Sequence, residues 1–204
     1  MCGINGFTWN DPEALRRMHR ATRHRGPDDE GFFETPEISF AHNRLSIIDL
    51  SPGGRQPMTT PDGRFTIVFN GEIYNYRELR RELEALGESF STQSDTEVLL
   101  RAFARSGIEG LKKLNGIFAF AVWDRDERRL TLVRDQIGVK PLYYHCAGKR
   151  LAFSSEIKAI LEHDVARTLD LDALNLYFRL LYVPGPRTMF REVKKLQPGH
   201  ALVF

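Results

Sequence analysis

The chain has 204 residues, of which 42% are hydrophobic and 27% charged, and its 29 basic and 27 acidic side chains nearly cancel to a net charge of +2. This composition is typical of a globular domain with one sizeable core, and it lacks the basic excess of a nucleic-acid-binding protein. The two cysteines make no disulfide framework, and the sequence contains neither a membrane-spanning apolar run nor a charged, apolar leader. We therefore predict a cytoplasmic protein that binds neither nucleic acid nor a membrane.

The first predicted elements are a strand close to the amino terminus and a helix after it. An apolar run over 4–9 indicates the strand, and Asp11 is a suitable N-cap for a helix over 12–23 that begins with proline. Two further short strands are expected over 31–34 and 38–45, after a loop rich in turn-forming residues.

Two apolar runs in the middle of the chain predict central strands. The run over 65–69 is expected to end at Asn70 and Gly71, a dipeptide typical of tight turns. The run over 116–123 is apolar without alternation, which is typical of a strand covered on both faces. A sheet stacked between two other layers is therefore expected.

Two helices are predicted between these central strands. Leucine and tyrosine residues at helical spacing indicate a helix over 76–86, with Asn75 as its cap. The second helix covers 94–107 and opens with a capping-box pattern of Ser94 and Glu97.

The remaining elements complete an α+β fold. Many short antiparallel strands with helices in two groups favour layers of sheet and helix. Strands are expected over 130–133, 143–145 and 151–153, helices over 155–161 and 170–181, and an irregular tail after 186.

Cys2 is the first residue with a chemical reason to be catalytic. Once Met1 is removed, the Cys2 thiol and a free α-amine share one residue. An α-amine, with an ordinary pKa of about 7.7–8.0, is a suitable general base for activating a thiol near neutral pH. Residue 2 can then supply both the nucleophile and the base. From the residue alone, the alternative is a small buried hydrophobe that opens the first strand.

Asn70 and Gly71 are candidates for the donors of an oxyanion hole. A side-chain amide and a backbone N–H both stabilise a developing oxyanion, and glycine permits close approach of the backbone. The alternative is that the dipeptide only forms a tight turn.

Three charged residues could bind a free amino acid. Arg44, at the end of a predicted strand, has the planar fork that grips a carboxylate. Asp95, in the first turn of a predicted helix, can pair with an ammonium, and Glu72 can add a second acceptor. The alternatives are an ordinary ion pair for Arg44 and a helix-dipole contact for Asp95. The six histidines show no metal-ligand spacing, so no metal site is predicted.

Several short motifs occur in the order expected of one family. They are residues 1–4 (MCGI), 24–28 (HRGPD), 42–49 (HNRLSIID), 69–75 (FNGEIYN), 94–97 (SDTE), 116–121 (GIFAFA), 134–144 (RDQIGVKPLYY) and 154–159 (SSEIKA). Together they resemble the amino-terminal glutaminase domain of glutamine-hydrolysing asparagine synthetases, which are class II glutamine amidotransferases. The resemblance covers nearly the whole chain, through 196–200 (LQPGH).

The resemblance implies an N-terminal-nucleophile hydrolase fold, a four-layer α/β/β/α sandwich of two antiparallel sheets. It also implies that Cys2 attacks the side-chain amide of L-glutamine. A γ-glutamyl thioester forms as ammonia leaves, and water then hydrolyses the thioester to glutamate. By position in the motifs, Arg44 is expected to anchor the α-carboxylate of the substrate, and Asp95 with Glu72 its α-amine. Asn70 and Gly71 are expected to form the oxyanion hole. Ile47 and Ile48 would line the pocket through backbone atoms, and the loop over 25–28 would shape or cover it.

In this family the ammonia passes to a C-terminal synthetase domain that uses Mg-ATP, and this chain lacks that domain's SGGxDS loop. We therefore assign 1–190 to a glutaminase domain and 191–204 to the start of a connection to a synthetase domain. No cofactor is expected in this chain, and a homodimer is left open. Two alternatives remain: a glutaminase domain that serves another acceptor, as in a sugar or cell-surface amidotransferase, and a structural or docking domain with a vestigial site.

Overall fold

The computed structural model describes all residues from 1 to 204 and contains eleven strands and five helices. The strands are β1 (Gly3–Phe7), β2 (Asp29–Glu34), β3 (Ser39–Arg44), β4 (Met58–Thr59), β5 (Phe65–Ile73), β6 (Gly116–Asp124), β7 (Arg129–Arg134), β8 (Tyr143–Ala147), β9 (Arg150–Ser154), β10 (Lys194–Lys195) and β11 (Ala201–Val203). The helices are α1 (Pro12–Thr22), α2 (Tyr76–Ala85), α3 (Asp95–Gly110), α4 (Ile157–Ile160) and α5 (Leu171–Leu180). None of them is long and apolar enough to cross a membrane.

The strands form two antiparallel sheets. The first has six strands in the order β10-β8-β9-β1-β3-β2, and the second has five in the order β11-β7-β6-β5-β4. The amino-terminal strand β1 lies inside the first sheet, where Asn5 is opposite both Ala41 of β3 and Ser154 of β9. Because β1 is paired on both sides, the residue just before it is held at a fixed place at the end of an interior strand.

The sheets pack face to face, with helices on both outer faces. Side chains of α1 and α4 cover the first sheet, as in the contact of Leu15 and Ala159 with Phe7. Helices α2 and α3 cover the second sheet through residues such as Leu83 and Leu99. The expected four layers, with two antiparallel sheets in the centre, are confirmed.

The strand β6 shows why the sequence over 116–123 is apolar without alternation. Phe118 and Phe120 point to the helices α2 and α3, whereas Ala119 and Ala121 point to the other sheet. Since side chains alternate along a strand, a strand with apolar surroundings on both faces needs apolar residues at every position.

The prediction that Asn70 and Gly71 end a strand is wrong. Strand β5 continues to Ile73, and Asn70 and Gly71 lie opposite Ala119 and Phe118 of β6. The continuous partner strand β6 overrides the local preference of Asn-Gly for a turn, because extending the pairing satisfies the backbone.

Two predicted helix caps also differ from the structure. The Asn75 side chain does not cap α2 but donates to the carbonyl of Lys113 at 2.9 Å. Ser94 does cap α3, accepting from the Thr96 N–H at 3.1 Å, whereas Glu97 accepts from the Thr92 N–H at 2.7 Å. The capping box is thus only half formed, because Glu97 fastens the preceding loop instead.

All five helices differ from their predicted bounds, and α1 and α2 each end one residue earlier than predicted. Helix α3 continues to Gly110 past a break at Gly107, whose φ is +55°. The helix predicted over 155–161 is the single turn α4, while α5 is one residue shorter at each end than predicted.

The carboxyl-terminal tail is regular rather than irregular. Strand β10 pairs with β8 of the first sheet, and β11 pairs with β7 of the second sheet. Leu196 between them is buried in the layer between the sheets. The tail therefore adds an edge strand to each sheet, and the domain boundary at 190 stays a prediction.

Candidate active site

Cys2 lies immediately before β1 and is held there by two neighbouring segments. The backbone N–H of Leu45 donates to the Cys2 Sγ at 3.4 Å. The Nε of Arg25 donates to the Cys2 carbonyl at 2.9 Å, and Glu156 accepts from the same guanidinium at 3.0 Å. Met1, which precedes Cys2, is 52% exposed. The thiol is thus fixed in position while the residue before it remains accessible.

Burial and nearby positive charges act in opposite directions on the Cys2 thiol. Burial raises the pKa of the thiol above its ordinary value. The Leu45 N–H, the terminal ammonium and the side chains of Arg44 and Lys140 each lower this pKa. Lys140 is buried in the wall of the same cavity and forms no ion pair with a carboxylate within 4.0 Å. Its charge therefore remains available to stabilise a thiolate.

The outer edge of β5 presents a row of backbone donors beside this thiol. The Phe69 N–H donates to Gln56 Oε1 at 2.6 Å, and the Ile73 N–H donates to Asp95 Oδ2 at 3.0 Å. Alternate residues of a strand point to the same edge, so the Gly71 N–H between them faces this edge as well. Its cross-strand partner Phe118 bonds with Asp135 on the other side of β6. No side chain accepts from the Gly71 N–H.

The side chain of Asn70 provides a second donor without an acceptor. Asn70 is 1% exposed and lines the cavity, and its Nδ2 has no hydrogen-bond partner. Leaving a buried donor unsatisfied costs about 1–3 kcal/mol, so such groups in folded proteins call for an explanation. A ligand oxygen in the cavity would satisfy it.

His42 supports the backbone next to Asn70. Its ring lies at 0% exposure, with Nε2 at 3.1 Å from the Phe69 carbonyl. Burial lowers the pKa of His42 to about 4, so the ring is neutral at physiological pH. Because a carbonyl can only accept, Nε2 carries the proton and donates to it. This bond fixes the peptide plane between Phe69 and Asn70.

Gly71 is required by the close approach of β6. A Cβ at this position would collide with the Ile117 carbonyl and with the backbone of Phe118. The glycine therefore allows β5 and β6 to stay paired where the free N–H faces the cavity. A tight turn, the alternative that the sequence left open, is not what this dipeptide forms.

Arg44 lies at the end of β3 in the opposite wall of the cavity. Its guanidinium donates to the carbonyls of Ser51, at 3.0 Å, and of Asp49. Gly54 packs against this guanidinium, and any Cβ there would collide with it. A guanidinium has five N–H donors, so those not used by the two carbonyls can still bind a carboxylate. Arg44 thus holds the loop over 45–54 in place and lines the cavity, and its Nη1 also forms an ion pair with the Asp29 carboxylate at 3.9 Å.

Asp95 is the first residue of α3 and is 4% exposed in the cavity wall. Burial, with a smaller contribution from the negative charge of nearby Glu72, outweighs the backbone N–H donors and raises its pKa to about 6. Glu72 also lines the cavity and points from the β5 edge. Two neighbouring carboxyl groups with little compensating charge form a site suited to a cation such as an ammonium.

All the residues that the sequence predicted for the site line one cavity of about 290 Å³. This volume suits a free amino acid. The predicted residues in its wall are Cys2, Arg44, Ile47, Ile48, Asn70, Gly71, Glu72 and Asp95. The structure brings them together, while their individual roles stay predictions.

Three residues of the site were not predicted from the sequence. Gln56 accepts from the Phe69 N–H and donates to Thr96 Oγ1 at 3.2 Å, so it ties β5 to α3. Lys140 and His42 were not singled out, although both lie in motifs of the resemblance. The only signal for them was membership in those motifs, because no local pattern marks a buried lysine or a donor histidine.

The loop over 25–28, which was predicted to shape or cover the pocket, lies behind the cavity. None of its residues lines the cavity. Arg25 holds the Cys2 carbonyl, and Asp28 accepts from the Ser46 N–H at 2.8 Å. The loop therefore supports the nucleophile and the opposite wall from behind rather than covering the pocket.

Comparison with known proteins gives this site a family. The family described as a glutamine amidotransferase domain matches residues 1–204. The chain belongs to this glutamine amidotransferase family. It is 42% identical over 207 residues to asparagine synthetase (glutamine-hydrolysing) 1 of Bacillus subtilis, covering 98% of this chain and 33% of the relative. It is 37% identical over 229 residues to a putative asparagine synthetase 2 of Methanocaldococcus jannaschii, covering 100% of this chain and 44% of the relative. The predicted membership is confirmed, and the amidotransferase domain spans less than half the length of these relatives.

Solved structures confirm the fold of the amidotransferase domain. A glutamine phosphoribosylpyrophosphate amidotransferase from B. subtilis aligns with a TM-score of 0.67 and 23% identity over 78% of this chain and 43% of that chain. An allosteric regulatory enzyme of purine biosynthesis aligns with a TM-score of 0.68 and 22% identity over 79% of this chain and 43% of that chain. The predicted N-terminal-nucleophile hydrolase fold is thereby confirmed.

Proposed function

We propose that this amidotransferase domain hydrolyses the side-chain amide of L-glutamine through a thioester at Cys2. One observation carries the proposal: the Cys2 thiol shares a small cavity with two donors, Asn70 Nδ2, which has no hydrogen-bond partner, and the Gly71 N–H, which faces away from the partner strand β6. A nucleophile beside a preorganised pair of donors is the arrangement that acyl transfer from an amide requires.

Before catalysis, hydrolysis of the Met1–Cys2 peptide bond releases methionine and leaves Cys2 with a free α-amine. That amine takes the thiol proton, and the thiolate attacks the amide carbon of glutamine. The resulting oxyanion accepts from Asn70 and Gly71. The amine then gives its proton to the leaving nitrogen, and ammonia departs as the carbon–nitrogen bond breaks.

Hydrolysis completes the cycle. The Cys2 amine takes a proton from water, the hydroxide attacks the thioester carbon, and a second oxyanion forms at the same donors. Collapse of this intermediate breaks the carbon–sulfur bond, releases glutamate and returns the proton to the thiolate. The net reaction consumes one glutamine and one water and yields glutamate and ammonia.

The charged residues of the cavity orient the substrate in this proposal. Arg44 binds the α-carboxylate with the donors that its loop contacts leave free. Asp95 and Glu72 bind the α-ammonium, and the bound cation lowers the pKa of Asp95 from its value of about 6. The backbone of Ile47 and Ile48 shapes the wall between them.

The ammonia is used, in this proposal, by an ATP-dependent synthetase domain in the same polypeptide. The support is that the matched relatives named asparagine synthetases are about three times as long as this chain. Mg-ATP would bind only in that second domain, and aspartate would be the acceptor. Assaying the full-length polypeptide for ATP-dependent asparagine formation from glutamine and aspartate tests this half. Activity with a sugar acceptor in place of aspartate would contradict it.

The glutaminase half is tested by replacing each of the two cysteines. We expect Cys2→Ala to abolish glutamate release and labelling by a glutamine-like diazo-ketone. The control Cys146→Ala, which removes the exposed thiol of β8, is expected to change neither. Intact-mass analysis of the active protein should show that Met1 is absent. An active preparation that retains Met1, or hydrolysis by the Cys2→Ala protein, would refute the mechanism.

The alternative of a vestigial docking domain predicts a different calorimetric result. A folded, Met1-free protein that does not bind glutamine would support that alternative. The intact set of cavity residues argues against it, because a site without function has no need to keep buried donors unsatisfied.

A further inference from the structure

Helix α5 is fastened at both ends but is not covered along its length. Asp170 caps it by accepting from the Ala173 N–H at 3.1 Å, and Arg187 holds the same carboxylate at 2.7 Å. After the helix, Lys195 Nζ donates to the Val183 carbonyl at 3.2 Å. Ala173 is nevertheless the one buried residue of α5. The fold therefore fixes where the helix lies without using its side chains as core.

The exposed surface of α5 is apolar. Phe178 is 72% exposed, Leu181 just after the helix is 80% exposed, and Leu171 is 65% exposed. These three recur with the half-buried Leu174 at helical spacing, so they lie on one face, which we call the α5 face (Leu171, Leu174, Phe178 and Leu181). Exposed Tyr182 extends it at one end.

A separate polar stripe shows which side of α5 is suited to contact with solvent. Asp172, Asn175 and Arg179 are exposed and recur at helical spacing beside the α5 face. A helix that already presents a polar stripe to solvent gains nothing from exposing leucine and phenylalanine next to it. Isolated helices of this length are marginal in water, and contiguous exposed apolar surface marks an interaction site.

We propose that the α5 face is the surface on which the carboxyl-terminal part of the full-length polypeptide, the synthetase domain of the proposed function, packs within the same chain. The occupant follows from the lengths of the relatives. This chain matches the amino-terminal part of B. subtilis asparagine synthetases 1 and 3 and spans only 33% and 35% of them. The remaining part of such a polypeptide is about twice the size of this domain. Because it is joined to the same chain, its effective concentration at the α5 face is high, and its surface is the one most readily available to cover that face.

The α5 face is separate from the glutamine cavity. No residue of α5 lines that cavity, and no residue of α5 contacts the Cys2 segment through a hydrogen bond or ion pair. Packing on α5 would thus set the position of the second domain without taking part in glutamine hydrolysis. The identity of the occupant rests on the proposed function, whereas the existence of a docking surface rests on α5 alone.

A photo-cross-linking experiment on the full-length polypeptide tests the proposal. The cross-linking residue p-benzoylphenylalanine replaces Phe178 in one variant and Asn175, on the polar stripe, in the control. We expect peptides from beyond residue 204 of the same chain to be cross-linked at position 178 and not at position 175. Mixing isotope-labelled and unlabelled protein distinguishes contacts within one chain from contacts between two.

Each other result overturns the proposal. A cross-link between two chains means that a second copy covers α5, and no cross-link at position 178 means that the face is free. A source polypeptide with nothing after Phe204 would also exclude the occupant. None of these readings depends on catalysis, so failure of the glutaminase mechanism would be seen separately in the activity of the unsubstituted protein.

A functional measurement adds a second, independent readout. We expect Phe178→Glu combined with Leu181→Glu to leave glutamate release unchanged but to raise several-fold the glutamate released per amide group transferred. Asn175→Glu, which adds a charge on the polar stripe, should leave that ratio unchanged. An unchanged ratio in the double variant, with the protein folded, would contradict the proposal.

Discussion

The two walls of the cavity are built in different ways. One wall is the edge of strand β5, where Asn70 is almost fully buried and is fixed by pairing with β6. The other wall is the loop after β3, where Ile47 is 55% exposed and the guanidinium of Arg44 holds backbone carbonyls in place. In the proposed mechanism, the strand wall presents the donors that stabilise a short-lived oxyanion, and the loop wall presents groups that bind the substrate.

This difference suggests that the strand wall stabilises the transition state and that the loop wall binds the substrate. Groups that stabilise a transition state must be preorganised to a fraction of an ångström, and a paired strand supplies that precision. Groups that bind the substrate can adapt, so a loop suffices. Changes in the donors of the strand wall, Asn70 and Gly71, should therefore act on kcat, and changes in the loop wall should act on KM.

The largest expected effect is that of Asn70→Ala in the strand wall. Loss of one oxyanion donor lowers kcat by about 10²–10³-fold in comparable sites, and KM should change little because the donor acts on the transition state. Steady-state kinetics of glutamate release measure both constants. Asn75→Ala is the matched control, since Asn75 follows the same strand but holds the Lys113 carbonyl away from the cavity. A rise in KM with kcat unchanged would contradict the division between the walls.

The next effect is that of Arg44→Lys in the loop wall. Lysine keeps the charge but cannot hold the Ser51 and Asp49 carbonyls and a carboxylate at once, because it lacks the planar fork. Hydrogen bonds to charged groups contribute about 1.5–3 kcal/mol, so KM for glutamine should rise roughly 10–100-fold. The rate of Cys2 alkylation by iodoacetamide is the control for an intact nucleophile and should stay close to that of the wild type. A loss confined to kcat would show that Arg44 serves the strand wall instead.

Asp95→Asn is expected to weaken binding but stabilise the fold. The folded pKa of Asp95 is about 6, above the ordinary 3.8, so its ionised form destabilises the folded state at pH 7.5. Asparagine keeps an acceptor for the Ile73 N–H without the charge. We expect the free energy of unfolding at pH 7.5 to rise by on the order of 1–3 kcal/mol, and KM for glutamine to rise about tenfold. Thermal unfolding and kinetics of the same preparation check the two expectations.

The pH dependence of the wild type follows from the same carboxyl group. Only ionised Asp95 attracts the α-ammonium, so kcat/KM should fall as the pH falls through about 6. The effect on stability has the opposite sign, because protonation removes an unfavourable buried charge. The free energy of unfolding should therefore rise as the pH falls from about 6 towards 3.8. In the Asp95→Asn protein both dependences should be absent near pH 6. If the acid limb of kcat/KM persists there, another group controls binding.

The sequence was most informative where neighbouring patterns agreed. The apolar run over 116–123 predicted a strand with both faces covered, and β6 has helices on one side and a sheet on the other. It was misleading at Asn70 and Gly71, where the local preference for a turn is overridden by pairing with a distant strand. The prediction of an irregular tail was wrong for the same reason. Strands β10 and β11 are short, and they form because β8 and β7 are available to pair with them.

The site shows a similar limit. Residues with reactive or charged side chains in motifs could be proposed from the sequence, and they do line one cavity. Gln56 could not, because its role depends on reaching the Phe69 N–H and Thr96 from a loop whose position only the fold determines. Lys140 could not either, because a lysine gains its importance here from burial beside Cys2 without a carboxylate partner.

Lys140→Met should have the smallest effect and separates the charge of this residue from its bulk. The positive charge of Lys140 lowers the pKa of the Cys2 thiol, but by less than the Leu45 N–H, the terminal ammonium and Arg44 do. Removing it should therefore raise the thiol pKa by less than Arg44→Gln does, and the pH profile of Cys2 alkylation should move to higher pH in the same direction. Lys140→Arg keeps the charge and should leave the profile unchanged. Because the loop over 135–140 is fastened by Asp135, which accepts from the Lys140 N–H at 3.0 Å, neither substitution should alter the fold. A shift larger than that of Arg44→Gln would mean that Lys140, rather than the loop wall, is the main positive charge at the nucleophile.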